Sequence, residues 1–343
     1  MFNLDLRFIS LLVLFVLMGT GCSIYKTAQE VGAADVRPSS TDMRVHTGVE
    51  VNVQDAVHAA SKDHPIKDIP QGCMVFVDGL FGYGIKQNGS AVELLLTDNG
   101  GETWTPRHQL DGVTWVSGLS FLDKDTGWLL AKKDGEDHNE LLLTVDGGET
   151  WEVISTQLHN LGDLKEQLFF RFFDRQNGMI AWEAPTGMQI LRTQDGGLAW
   201  NISDNGLLPE GGRGVFTFVS PSKGWYAVSD PKKKLLQLYQ TSDGDRWQLS
   251  GRLKSELNPI AIAFPSVDDG WILMQNSVSQ TWSLVRTSDE GLTWTEHAFP
   301  STFAPMKHRL TLTAVQEDHS WILGSNGLWR SLNGGLNWNR LVL

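Results

Sequence analysis

Three arginines, Arg171, Arg213 and Arg309, offer the sharpest chemistry in this chain. A guanidinium pairs a carboxylate through two parallel hydrogen bonds, so three of them near one axis could hold an acidic ligand. The same groups would serve equally as ion-pair partners inside the fold, for example of Glu210 or Glu166. Trp115 falls in a segment expected to be a connecting loop, as do His108, Asp111, His159, Asp163 and His308. An indole in that company could stack on a sugar, anchor a protein, or fold back on its own loop. The nine histidines show no close pairing, and Asp134-Gly-Glu136-Asp137 lacks the alternating ligands of a calcium loop. No metal and no cofactor is expected.

The elements that position these residues follow from a repeat. The eight-residue pattern Ser/Thr-x-Asp-x-Gly-x-Thr-Trp runs in full from Thr144 through Asp146, Gly148 and Thr150 to Trp151, and again from Thr287 through Asp289 to Trp294. Looser copies end at Trp104 (Asn99 in the Asp slot), Trp200 (Asp195 kept, Ala199 for Thr), Trp247 (Asp243 kept, one residue shorter) and Trp338 (Asn333 and Asn337). The closing tryptophans are 47, 49, 47, 47 and 44 residues apart, a period that marks stacked or radial repeats.

A second motif has the same period. Phe76, Phe121, Phe172, Phe218, Phe264 and Ala314 each precede by six positions Gly82, Gly127, Gly178, Gly224, Gly270 and Ser320. An aromatic follows in five copies and Met179 in the other. Within residues 119 to 156, four short apolar runs alternate with turn-rich Gly and Asp clusters, the pattern of hairpin-linked strands. Four antiparallel strands repeated radially make a β-propeller blade. The box Asp is expected to close its turn by accepting backbone N–H groups, and the box Trp to open the next strand and pack between sheets. Ten of the 14 tryptophans sit in the two motifs, so the Trp count measures repeats rather than ligand stacking. The expected fold is all-β, a single propeller over residues 73–343 with six blades, seven being the alternative.

The boxes resemble the Asp-box, or sialidase-type, repeat. Paired with the Phe-x-Asp-x-x-x-Gly-Trp motif, they more closely resemble the photosystem II stability/assembly factor family, which has non-photosynthetic bacterial relatives. That resemblance covers residues 74 to 338 and implies a propeller that scaffolds or assembles membrane complexes. A sialidase needs an arginine trio, a Tyr nucleophile with a supporting Glu, and an Asp acid. The four tyrosines here do not fit: Tyr25 precedes the repeats, Tyr83 fills a repeat slot, and Tyr226 and Tyr239 fall within expected outer strands. The expected function is a non-catalytic scaffold that binds a protein partner; the alternative is a sialidase-like hydrolase or glycan binder using the channel mouth.

Aligning the repeats puts Arg213 and Arg309 five positions before their anchors and Arg171 one before its own, near one axis. The chain's start suggests where such a module would work. Phe8 to Met18 is an apolar run flanked by Arg7 and followed by Gly19-Thr-Gly21 and Cys22, the layout of a secretory signal. Gly-Thr-Gly-Cys-Ser resembles a lipoprotein cleavage box, although Gly19 stands where Leu is usual; a plain signal peptide or an uncleaved anchor are the alternatives. Residues 1–21 are thus expected to be a signal peptide, Cys22 a lipidation site, and 22–72 a polar tether. Ser23 favours the periplasmic face of the outer membrane. Cys73 is then the sole unmodified thiol, expected to be a small buried residue. The formal net charge of −12 argues against nucleic acid as a partner.

Overall fold

Short runs rich in Val, Leu, Ile and aromatics, each ended by an Asp/Gly turn, form strands rather than helices here. The computed structural model describes residues 73–341 apart from 89–90, 137, 159–167, 185–186, 203–213, 231, 277 and 304–310. Described residues form 24 strands in six four-stranded sheets, each antiparallel and each contiguous in sequence. Blade 1 runs Met74–Gln109, blade 2 Val113–Leu158 and blade 3 Leu168–Ile202; blades 4, 5 and 6 run Gly214–Lys254, Asn258–Ala298 and Thr311–Leu341. The protein is therefore a six-bladed β-propeller, and the seven-bladed alternative does not apply. The signal peptide, Cys22 and the tether lie outside the described residues.

The second motif has a simple steric cause. The anchor Phe and the motif Gly face each other across the first hairpin, as Phe121 and Gly127 do. A Cβ on Gly127 would stand 2.6 Å from the Phe121 ring, so only glycine leaves room for the ring to lie flat over the backbone. Blade 6 is the exception that explains the rule. Its anchor is Ala314, and Ser320 faces it in the same register. With no ring to accommodate, a side chain is tolerated.

The residue after the motif Gly joins each blade to the next. Tyr83 stacks on Phe121, Trp128 on Phe172 and Trp225 on Phe264, with ring centroids 3.7–3.9 Å apart and planes within 8°. Trp321 of blade 6 stacks on Phe76 of blade 1 at 3.7 Å, so the ring closes through the same contact that builds it. Met179 packs with Phe218 in one buried cluster, and Trp271 packs with Ala314 in another. The box tryptophans complete the pattern edge-on: Trp104, Trp151, Trp200, Trp247 and Trp294 meet their blade's anchor at 5.7–6.3 Å. Each strand begins one residue after the box Trp, at Glu152 in blade 2, rather than at the Trp itself. The indole turns inward to the anchor ring and leaves strand pairing to its neighbour.

Gly127→Ala should destabilise the fold by about 1–3 kcal/mol, the usual cost of overpacking. In a Phe121→Ala background the same change should cost close to nothing, imitating the Ala314/Ser320 pair. Urea denaturation of the four variants measures the coupling; equal cost in both backgrounds would refute the steric account.

Candidate functional site

The box turns are built from within. In blade 2, Asp146 Oδ1 accepts from Thr150 N at 2.9 Å and from Thr144 Oγ1 at 2.8 Å, and Oδ2 accepts from Thr150 Oγ1 at 2.6 Å. Thr144 Oγ1 in turn accepts from Gly148 N at 2.8 Å. Asp289 repeats every one of these bonds. Asp195 accepts from Ala199 N, Asp243 from Asp245 N and Arg246 N, and Asn99 and Asn333 accept in the same way from Thr103 N and Asn337 N. The box carboxylates thus close turns, as their residue types imply. Trp200 and Trp294 each donate an indole N–H to their own box glycine's carbonyl.

Neighbouring blades grip these turns from outside. Indole N–H groups of Trp128, Trp225, Trp271 and Trp321 each donate to a carbonyl in the following blade's box, at 2.9–3.2 Å, and Tyr83 donates its hydroxyl to Lys124 O. A set of cations, not anticipated from the sequence, does the same. Arg107 donates to the carbonyls of Asp146 and Gly147 and pairs with Glu149 at 2.9 Å. Arg192 holds Gly244 O and Asp245, and Arg330 holds Gly100 O and Glu102 across the 6–1 closure. For two of them a signal was present: Arg192 and Arg330 each stand directly before the box Ser/Thr, whereas Arg107 lies in the strand after a box Trp.

The six first strands line a central cavity of about 280 Å³. Arg171 stands in it one residue before the anchor Phe172, near the end where the first turns leave the strands, rather than at the opposite mouth. Its Nη1 donates to Phe218 O at 3.4 Å and its guanidinium lies 5.7 Å from the Phe173 ring; no carboxylate among the described residues pairs with it. The side chain touches the cavity's solvent, yet the enclosing walls desolvate it and lower its pKa. Arg213 and Arg309 lie outside the described residues, as do His159, Asp163 and His308.

Trp115 is not on a loop. It belongs to the first strand of blade 2, Val113–Phe121, which two bulges extend beyond the length expected from the repeat. It pairs with Lys132 and is 38% exposed. His108 likewise lies in a strand, Thr105–Gln109. Tyr226 is buried in the second strand of blade 4, opposite Phe216, and Tyr239 lies in the third; neither lines the cavity. Burial pushes the Tyr83 hydroxyl up to about 12, so it remains a donor. Cys73 is fully buried, with Sγ 3.3 Å from Val116 O. No cluster of metal ligands occurs among the described residues. No helix among them is long and apolar enough to cross a membrane.

No protein-family model matches the chain, and no curated protein does. Solved structures do. YCF48 from Cyanidioschyzon merolae is similar at 18% identity over 81% of this chain and 86% of its own, with a TM-score of 0.46. A GH74 enzyme from Niastella koreensis is 15% identical over 80% of this chain and 46% of its own, with a TM-score of 0.48. TolB from Acinetobacter baumannii is 13% identical over 66% and 54%, with a TM-score of 0.45. The chain spans about half the length of the last two.

The electrostatics follow the same division of labour. Hydrogen bonds from the Thr150 hydroxyl and N–H, then from Thr144, lower the Asp146 pKa to about 2. A lowered native pKa stabilises the fold above the unfolded value, about 3.9, and the contribution fades as pH falls through the native one. Asp146→Ala should therefore lower Tm at pH 7, and the gap from wild type should narrow progressively below about pH 4. Thermal melts across that range provide the check, and a gap independent of pH would show that the ionised carboxylate is not what holds the turn.

Proposed function

We propose that the protein is a non-catalytic propeller that binds a protein partner in the bacterial envelope, held there through Cys22. One observation carries this reading. Seven of the twelve large apolar side chains exposed among the described residues lie in the turns of one face: Leu80, Val145, Leu198, Val267, Leu292, Leu332 and Leu336; the two most exposed of all, Val278 and Ile202, lie elsewhere. Recurring apolar exposure on one face marks an interaction surface more than scattered residues do. Polar groups beside them are engaged in closing turns and gripping blades. The paired motifs' resemblance to an assembly-factor family supports the same reading.

The hydrolase alternative is the less favoured reading. Its nucleophile would be a tyrosine, and Tyr83, Tyr226 and Tyr239 stand in second and third strands and are not among the residues that line the cavity. Arg171, with no carboxylate paired to it among the described residues, supplies neither a proton nor a nucleophile.

Purified protein should show no turnover of a fluorogenic sialoside; turnover that is lost in Arg171→Ala would overturn the non-catalytic reading. Cys22→Ser should release the protein from the membrane fraction and abolish metabolic labelling with palmitate. Wild-type protein that takes up no label and fractionates identically to the variant would remove the lipid anchor from the proposal. Partner binding itself is tested by in-cell photo-crosslinking from the turn face followed by mass spectrometry, where a discrete adduct is expected and none would refute it.

A further inference from the structure

The turn face is not uniform around the ring. The residue after the last box glycine is Glu102, Glu149 and Asp245 in blades 1, 2 and 4, and each is held by an arginine of the preceding blade at 2.7–3.2 Å. In blades 3, 5 and 6 the same position is Leu198, Leu292 and Leu336, exposed by 61, 66 and 51%. Two of these leucines thus fall on adjacent blades. Those blades add Val267, in the first turn of blade 5, and Leu332, inside the box of blade 6.

An open depression of about 580 Å³ lies between blades 5 and 6 on this face. Pro265 and Ser266 form one wall, and Val315 to Asp318 with Asn333 and Gly334 form the other. Val267 follows Ser266 and Leu332 precedes Asn333, so an exposed apolar side chain flanks each wall. The surroundings are acidic. Asp268 and Glu317 have no ion-pair partner among the described residues, and Asp318 meets only His319, at 2.7 Å. The lining cation, Arg286, is already paired with Asp269 at 3.0 Å.

We propose that this depression docks a basic segment of a partner protein, seating an apolar side chain between Val267 and Leu332 and pairing flanking Lys or Arg with Asp268, Glu317 and Asp318. Charge complementarity selects the occupant. An acidic rim repels nucleic acid, anionic lipid and a second copy of the same face, in a chain of formal net charge −12. Val267 and Leu332, exposed beside the depression, in turn offer a purely hydrophilic basic chain nothing to bury. The proposal rests on the partner-binding reading above and adds the face and the chemistry.

Fluorescence anisotropy with labelled synthetic peptides tests it on the full chain. The probe alternates Lys and Leu; controls alternate Glu and Leu, or Lys and Ser. Saturable binding of the Lys/Leu probe is expected, weaker by about tenfold or more in Val267→Ser/Leu332→Ser, an effect typical of losing apolar anchors. Asp268→Lys/Glu317→Lys should weaken binding at low salt and flatten its salt dependence. Ile202→Ser, in the last strand of blade 3 and outside the turn face, should leave binding unchanged. All these sites are exposed, and circular dichroism checks that each variant keeps its fold. Equal affinity for the Glu/Leu peptide, equal affinity across the variants, or no saturable binding would overturn the proposal. A dimer in sedimentation that dissociates in Val267→Ser/Leu332→Ser would reassign the patch to self-association and overturn it too. If the peptide fails while the in-cell adduct persists, this docking site falls and the partner-binding reading stands.

Discussion

The stack of one blade's second-strand aromatic on the next blade's anchor ring is the contact on which the rest of the structure depends. Each sheet is contiguous in sequence, so no blade among the six borrows a strand from the far end of the chain to lock the ring. Closure between blades 6 and 1 instead uses the Trp321–Phe76 stack, the Trp321 indole bond to Gly100 and the Arg330 clamp on Glu102. An aromatic pair adds about 0.5–1.5 kcal/mol beyond its buried area, and a buried N–H left without its acceptor costs about 1–3 kcal/mol. Both effects act together at the Trp128, Trp225 and Trp321 joints. The glycine opposite each anchor Phe follows from the same contact, because a flat ring needs bare backbone beneath it.

That constraint also assigns the Asp boxes their work. The box is the part of a blade that its predecessor grips, through an indole N–H in blades 1, 3, 5 and 6 and a guanidinium in blades 1, 2 and 4. The Asp holds the turn in the shape that presents its carbonyls outward to those donors. Substituting Asn99 and Asn333 keeps the acceptor oxygen, which is what the turn requires, and loses only the charge. Blade 4 manages with a box one residue shorter because Asp243 reaches two successive N–H groups.

With the polar residues of the turn face committed to structure, what remains free there is apolar side chains and unpaired acids. The described lining of the central cavity offers less: hydroxyl and apolar walls with one guanidinium, that of Arg171. A desolvated charge with one long bond to a carbonyl contributes little to stability. The turn face between blades 5 and 6 therefore has the stronger claim as the working surface, and its combination of apolar relief and negative charge narrows the kind of partner it suits.

Repeat period, strand count per blade and the structural role of Asp146 or Trp151 were legible in the sequence, because each depends on neighbours within eight residues and recurs six times. Register was legible too, since Phe121 and Gly127 meet across one hairpin. Positions that depend on inter-blade geometry were not. Trp115 looked like a loop residue because bulges, which add residues to a strand without changing its composition, lie outside any local pattern. The arginine clamps were visible only as single residues beside a box; their partners lie 39 to 231 positions away and meet them only once the ring closes. Likewise the leucines at the boxes of blades 5 and 6 look like ordinary apolar residues in one dimension. Only the closed ring turns them outward, because each turn's inward side is already filled by the box Trp and the neighbouring blade's aromatic.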